Sequence, residues 1–534
     1  MPNSVMVRAL EFLPVRLVLY AGLGLAAAIV DAQLTDVTQT ANVEDAGIKK
    51  SLEEQVGAGR GDADTPGSSL FLIQRDPLRA ISRGRQLFQR KFTMAQGIGP
   101  RTGDGVGNIE ADASHAAGLA DSCTGCHGRP RGAAGFGGDV FTRPDSRDAP
   151  HLFGLGLQEM LADEITVELR DLRDDAIAEA ARRNRRMEVH LIAKGIDYGV
   201  LSANTDGTVD TSAVEGVNAD LRVRPFFAQG GTISIREFVV GALNAEMGLE
   251  APDPDLLAGS QGGRVITPAG MVLDGALDAI EPPPVSSEAA DGDGDGVSNE
   301  IPVALVDYLE FYLLNYFSPA TGKQDRRTRS GQRLFTKVGC AECHVPDLPI
   351  EYDRRVANVE TTFDPGKGIF NRLFAVASVQ TEVENDDPGL PPIQRPAGRP
   401  FLVKGIYTDF KRHDLGPAFW ERNFDGTITK EFMTEPLWGV GSTAPYGHDG
   451  RSINLEEVIL RHGGEAEAAR NLFVRLRASK KGKIIRLLRS LVLFGPPDTA
   501  SNLNPGDLSD PMFPLYGHGS IDLSVLFNDP NDKE

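Results

Sequence analysis

The first apolar stretch of the chain is the uncharged run Leu17–Val30, preceded by Arg8 and Arg16. Its 14 residues fall short of the ~20 that a membrane-spanning helix needs. Basic residues, a short apolar run and the Val30-Asp31-Ala32 tripeptide form the layout of a secretory signal peptide over residues 1–32, with an uncleaved membrane anchor as the competing reading. A location outside the cytoplasm, the periplasm, is therefore expected, without stable membrane insertion. No cysteine in this segment offers a lipid anchor. Residues 33–75 are polar, with Gly and Asp clusters, and predict a poorly ordered lead-in.

Beyond that point helical patterns dominate. Ile165–Ala193 carries acids early and Arg182, Arg183, Arg185 and Arg186 late, which suits the dipole of one long helix with a solvated charged face. Val303–Phe317 reads as an apolar, aromatic helix, and Ser234 with Glu237 caps a helix that ends near Glu246. Leu455, Val458, Ile459 and His462 follow the i, i+3, i+4, i+7 pattern. Asn454 with Glu457 forms the capping pair of that helix, and Gly463-Gly464 ends it. Strand alternation is rare and short. Two stretches, Glu281–Glu300 and Asp386–Pro400, read as irregular. The expected fold is mainly α, with long loops and little sheet.

Composition narrows the partners. Asp+Glu 75 against Lys+Arg 55 leaves a net charge of -20 over 534 residues, which argues against nucleic acid or an anionic membrane surface as the main partner. Four cysteines are too few for a disulfide-stapled chain of this length.

Those four cysteines fall into two copies of one motif, Cys123-Thr124-Gly125-Cys126-His127 and Cys340-Ala341-Glu342-Cys343-His344. Two thiols three positions apart can each add to a vinyl group of one haem, and the next histidine then lies under the iron as axial ligand. A related segment precedes each copy: Gly84-Arg85-Gln86-Leu87-Phe88 and Gly331-Gln332-Arg333-Leu334-Phe335. Phe88 lies 35 residues before Cys123, and Phe335 only 5 before Cys340, so the first of two related units carries an insertion. A boundary near residues 319–323 then separates a unit over 76–320 from one over 321–534.

Three other readings of the cysteines compete. Two disulfides leave both following histidines unexplained. A zinc site needs no adjacent histidine, and His127 and His344 are 217 residues apart. A thioredoxin-like pair expects a βαβ setting. Of the remaining histidines, His462 is the best-placed candidate for a further iron ligand, against the bland reading of a hydrogen-bonded core histidine.

Asp291, Asp293, Asp295, Gly296 and Asn299 match the first nine positions of a calcium loop. Pro302 stands where a bidentate glutamate belongs, so the segment is either a calcium site completed by Glu300 or Asp307, or a solvated acidic turn.

From about Arg79 onward the chain resembles the bacterial di-haem cytochrome c peroxidase/MauG superfamily, and within it the di-haem oxidoreductase, or thiol oxidoreductase-like, branch. The resemblance rests on both haem motifs and three further stretches. Arg147-Asp148-Ala149-Pro150-His151 is similar to an R-N-x-P segment, and Asn244-Ala245-Glu246-Met247-Gly248 to a P-x-E-M segment whose glutamate is the peroxidase acid/base. The third is Thr443–Gly450, twelve residues before His462, the position of the distal ligand of the second haem.

The resemblance implies two cytochrome c-like domains with facing haem pockets and two covalent c-type haems. The ligands would be His127 on the first and His344 with His462 on the second. It also implies a calcium between the haems, at positions matching Asp148, Thr443 and Pro445. Two departures stand out. Val140 occupies the place of a distal histidine for the first haem, leaving His115 or His151 as resting-state caps. The only tryptophans, Trp420 and Trp438, lie outside the loop that carries the family's inter-haem tryptophan.

The leading functional expectation is reduction of hydrogen peroxide at the haem on His127, with Glu246 as acid/base. Electrons would come through the haem on His344 from a small cytochrome c or a cupredoxin. The bland account of Glu246 is a helix-end carboxylate. The rival functions are MauG-like oxidation of a partner protein or organic substrate, and a non-catalytic di-haem relay.

Overall fold

The computed structural model describes residues 51–98, 122–127, 147–317, 319–358, 361–364, 368–373, 381–423 and 425–493. The expected signal peptide, the lead-in before residue 51, Val140 and His115 lie outside these residues.

The architecture is helices with small antiparallel sheets, one of three strands and the rest of two. Two helix pairs stand out. Pro77–Gln89 packs on Val303–Leu314, and Arg326–Lys337 packs on Ala478–Leu488. Each crossing is made at the glycine of the repeated segment. A Cβ on Gly84 would stand 2.2 Å from the Tyr308 carbonyl oxygen, and one on Gly331 2.1 Å from that of Lys483. The two helices of each pair therefore touch backbone to backbone, which only glycine permits. The two repeats thus share a structural role as well as a sequence pattern.

The Val303–Leu314 helix is buried along nearly its whole length, as its apolar sequence predicts. It shares a core with Phe71, Leu72, Ile81, Leu87, Val240 and Leu243. At the centre of this half Arg236, wholly buried, donates to Asp307 at 2.9 Å and Glu310 at 2.8 Å, and pairs with Asp253 at 2.7 Å.

The long helix is shifted from its expected place. It runs Leu155–Arg183, not 165–193, and stops where Asn184 takes a left-handed conformation (φ 49°), its N–H bonded to the carbonyls of Ala180 and Ala181. The chain then enters a hairpin, β1 (Met187–Ala193) with β2 (Ile196–Ala203), extended by β3 (Val209–Val214). Lys194 and Gly195, both at positive φ, make the two-residue turn that such a hairpin needs. Leu191, Tyr198 and Leu201 of the sheet pack with Leu161, Ile165 and Leu169 of the helix.

Part of the stretch expected as lead-in is ordered. Among its residues, helices Leu52–Val56 and Ser69–Arg75 are formed, and the second buries Phe71, Leu72 and Ile73. Buried Arg75 donates to Asp386 at 2.9 Å. The two halves also interlock past the expected boundary. Arg354 donates to Glu159 at 2.6 Å, and the N–H groups of Val356 and Ala357 both donate to the Asn315 side chain. Among the described residues no helix is long and apolar enough to cross a membrane.

Candidate functional site

The first motif forms one helical turn, Cys123–His127. The second begins as the 3-10 turn Cys340–Glu342, and the His344 N–H closes on the Cys340 carbonyl at 3.0 Å. In both, a single turn presents two thiols and an imidazole together. Burial pushes the Cys123 and Cys340 thiols up to about 12.

The imidazoles carry the clearest chemical statement. His127 Nδ1 lies 2.7 Å from the Pro150 carbonyl, His344 Nδ1 3.1 Å from that of Tyr407, and His462 Nδ1 2.7 Å from that of Val458. A carbonyl only accepts, so each Nδ1 carries the proton and each Nε2 keeps its lone pair. This is the tautomer and the orientation that a metal-ligating histidine needs. Burial keeps all three rings neutral. It lowers His127 against the pull of Pro150, and takes His344 to about 4 with help from nearby His462. It also lowers His462, against the Val458 carbonyl.

His462 caps the C-terminus of the Leu455–Arg461 helix, whose N-terminus is held by Asn454 as expected. Phe419 meets its ring edge-on at 5.3 Å, and Phe335 lies 6.1 Å from the His344 ring. The second pocket is therefore two neutral imidazoles in an aromatic lining. On the first side Phe238 lies 6.5 Å from His127 and packs on Phe226 and Phe227. Phe238 belongs to the Ile235–Met247 helix, whose last turn holds half-buried Glu246, about 12 Å further along the axis.

The resting-state cap expected of His151 does not fit its bonding. Its Nε2 donates to the Trp438 carbonyl at 3.0 Å, and its Nδ1 accepts from the Phe153 N–H at 3.3 Å. It is bonded to Pro150, whose carbonyl holds Nδ1 of His127, on the side of that ring away from the free Nε2.

The structure brings Asp148 to the Thr443–Gly450 loop. Its N–H donates to the His448 carbonyl at 2.9 Å, and a Cβ on Gly450 would stand 2.9 Å from the Asp148 Cβ and 3.4 Å from Pro445. Thr443 turns its hydroxyl to the Gly439 carbonyl at 3.2 Å. In the acidic loop, Asp291 and Asp293 oxygens accept from the Asp295 N–H, and Asp295 accepts from Val297. Asp293 also meets buried Glu250 and Glu300, while Asp307 is committed to Arg236. Glu300, not Asp307, thus lies with this loop, and Asn299 sits at positive φ (52°) beside it.

Three groups have no counterpart in the sequence motifs. His413 lies between Asp409 (2.9 Å) and Glu465 (2.7 Å), close to Cys343. Burial would lower it, but the Asp409 carboxylate raises it to about 11. With a carboxylate on each ring nitrogen, the protonated ring is favoured. Glu421 binds Arg147 through both oxygens, at 2.8 and 2.7 Å, and faces His448 at 3.2 Å. Burial would raise Glu421, yet Arg147 and His448 hold it down to about 2. Glu435 is exposed in the loop that follows Glu431–Met433. Desolvation by the groups packed around it pushes it up to about 7 against the opposing charge of Arg147. A lone Thr434-Glu435-Pro436 tripeptide carries no sign of this.

Residues 350–491 match a family model described as "Di-haem oxidoreductase, putative peroxidase". No curated protein matches the chain. A solved structure of Kuenenia stuttgartiensis hydrazine synthase pressurised with xenon is similar at 17% identity and a TM-score of 0.21, over 38% of this chain and 59% of that one. The chain therefore spans less than two thirds of that protein.

Proposed function

We propose that the chain is an exported c-type di-haem oxidoreductase built of two cytochrome c-like units, and that it reduces hydrogen peroxide in the periplasm. Cys123 and Cys126 would hold one haem by thioethers, with His127 as its axial ligand. Cys340 and Cys343 would hold the other, between His344 and His462. The observation that carries this reading is the bonding of His127, His344 and His462, each with Nδ1 on a backbone carbonyl and Nε2 left as a lone pair. The family match over residues 350–491 supports the oxidoreductase class.

A c-type haem held by His127 would supply the redox chemistry of peroxide reduction. The protein's part is proton handling and exclusion of other ligands. Glu246 would hold and move the proton that cleavage of the peroxide O–O bond needs, so that water can leave. Overall, one peroxide, two electrons and two protons give two waters. A small cytochrome c or a cupredoxin supplies the electrons through the second site. His344 and His462 would together hold the second haem and keep peroxide away from it. Phe238 and its aromatic neighbours keep the His127 side apolar.

The test is haem staining of the denatured chain, followed by spectra of the native protein with and without peroxide. Two covalent haems, one altered by peroxide and one inert, are expected, and Glu246→Gln should lose most turnover with both haems in place. A chain without covalent haem, or two permanently saturated irons, overturns the reading.

A further inference from the structure

The two motif histidines are joined by a continuous bonded route. His127 Nδ1 meets the Pro150 carbonyl at 2.7 Å, and Pro150 is bonded to His151. His151 Nε2 donates to the Trp438 carbonyl at 3.0 Å, and Trp438 is bonded to Leu437. The Leu437 N–H donates to the Ile406 carbonyl at 2.9 Å, Ile406 is bonded to Tyr407, and the Tyr407 carbonyl meets His344 Nδ1 at 3.1 Å. Four hydrogen bonds and three stretches of covalent chain thus run from one imidazole to the other. His151 is the only side chain in the interior of this route.

Its surroundings fix it there. Both ring nitrogens are engaged by backbone, so the ring has one tautomer and one orientation. Phe153 lies 5.6 Å from it. Trp438 is 2% exposed, and its benzene edge would meet a Cβ on Gly154 at 2.7 Å, so the strand of chain that receives the bond cannot drift.

We propose that His151 is a positioning residue for electron exchange between the two haem sites, bridging the His127 side to the Trp438 backbone. This rests on the di-haem function proposed for the chain. One electron leaves the reduced centre on the His344 side and reduces the centre on the His127 side. No bond is made or broken, and a one-electron donor protein replaces the electron lost. Electronic coupling falls off more slowly along covalent and hydrogen bonds than across gaps between atoms, so a donor at residue 151 shortens the effective distance between the sites.

The experiment uses the full-length holoprotein, flash-reduced by a photoexcited ruthenium complex, and follows re-equilibration between the two haem absorption bands. His151→Phe keeps the bulk of the ring and loses both nitrogens. Exchange should slow by about tenfold, with both haem spectra and midpoint potentials unchanged. His151→Gln retains an N–H donor and should recover much of the rate. His151→Ala replaces the Phe variant if the larger ring disturbs haem attachment. Wild-type exchange in a fully haem-loaded Phe or Ala variant overturns this inference alone, as does equal slowing in the Gln variant. Wild-type protein without covalent haem overturns the functional reading and this inference with it.

Discussion

Gly84 lies against Tyr308 so closely that any side chain would enter the helix it crosses, with a Cβ 2.2 Å from the Tyr308 carbonyl oxygen and 2.5 Å from the Tyr312 Cβ. Gly84→Ala should force the Pro77–Gln89 and Val303–Leu314 helices apart and destabilise the protein by about 1–3 kcal/mol. Gly331→Ala should do the same against Lys483. Gly482, with open space around its Cα, is the matched control. Chemical denaturation of the three variants checks it.

Arg236 joins Asp253, Asp307 and Glu310 through one guanidinium, and all four groups are buried. Arg236→Met leaves three carboxyls without their common partner and should cost about 3–5 kcal/mol. Burial already pushes Asp307 and Glu310 upward against the pull of Arg236, so the variant should also lose stability as pH rises and these acids are forced to ionise. Thermal melts from pH 5 to pH 8 measure both effects.

Glu421 and Glu435, both under the influence of Arg147, have opposite pH signatures. Glu421 is held near 2, below its usual 4.5, so its contribution is present above 4.5 and lost as pH falls toward 2. Glu421→Gln should flatten the acid limb of the stability curve, read by thermal melts across that range.

Glu435 is raised to about 7, so the folded state prefers it protonated and loses stability as pH rises from 4.5 through 7. Glu435→Gln should remove that slope. A peroxide-turnover profile of the same variant, set beside Glu246→Gln, separates the two carboxyls: loss only in Glu246→Gln assigns the proton work to Glu246.

His462→Ala removes the second imidazole of the His344 pocket. In haem-loaded protein the spectrum of that centre should change to one with an exchangeable axial position, and added imidazole should restore it. An unchanged spectrum would remove His462 as a ligand.

Whatever depends on near neighbours is legible in the sequence. The Asn454 cap, the apolar face Leu455–Ile459 and the placement of His462 need only residues a few positions away, and the helix forms within a residue of its expected bounds. The long helix is harder to place, because its charges continue to Arg186 while its end is set by one backbone conformation at Asn184. The alternation of Met187, Val189 and Leu191 with Glu188 and His190, leading into Lys194-Gly195, is the available sign of the hairpin. Order in residues 51–75 has local signs in the Ser51–Glu54 capping box and the Ser68 cap, but its anchoring does not, because Arg75 finds Asp386 more than three hundred positions away. Glu435 and His413 are hidden for the same reason. The charge of Glu435 depends on Arg147, far away in sequence, and His413 adds to its near neighbour Asp409 a second carboxylate, Glu465, fifty-two positions on.

Residues 351–357 leave the second repeat and settle into the first: Arg354 on Glu159, Val356 and Ala357 on Asn315 and inside the core that holds Phe71 and Leu72. The polypeptide is therefore laced, not beaded. Scissors placed at the sequence seam near residue 320 would strip one fragment of a piece of its interior and leave the other trailing an apolar thread, so neither half should survive as a soluble, single-haem miniature of the whole.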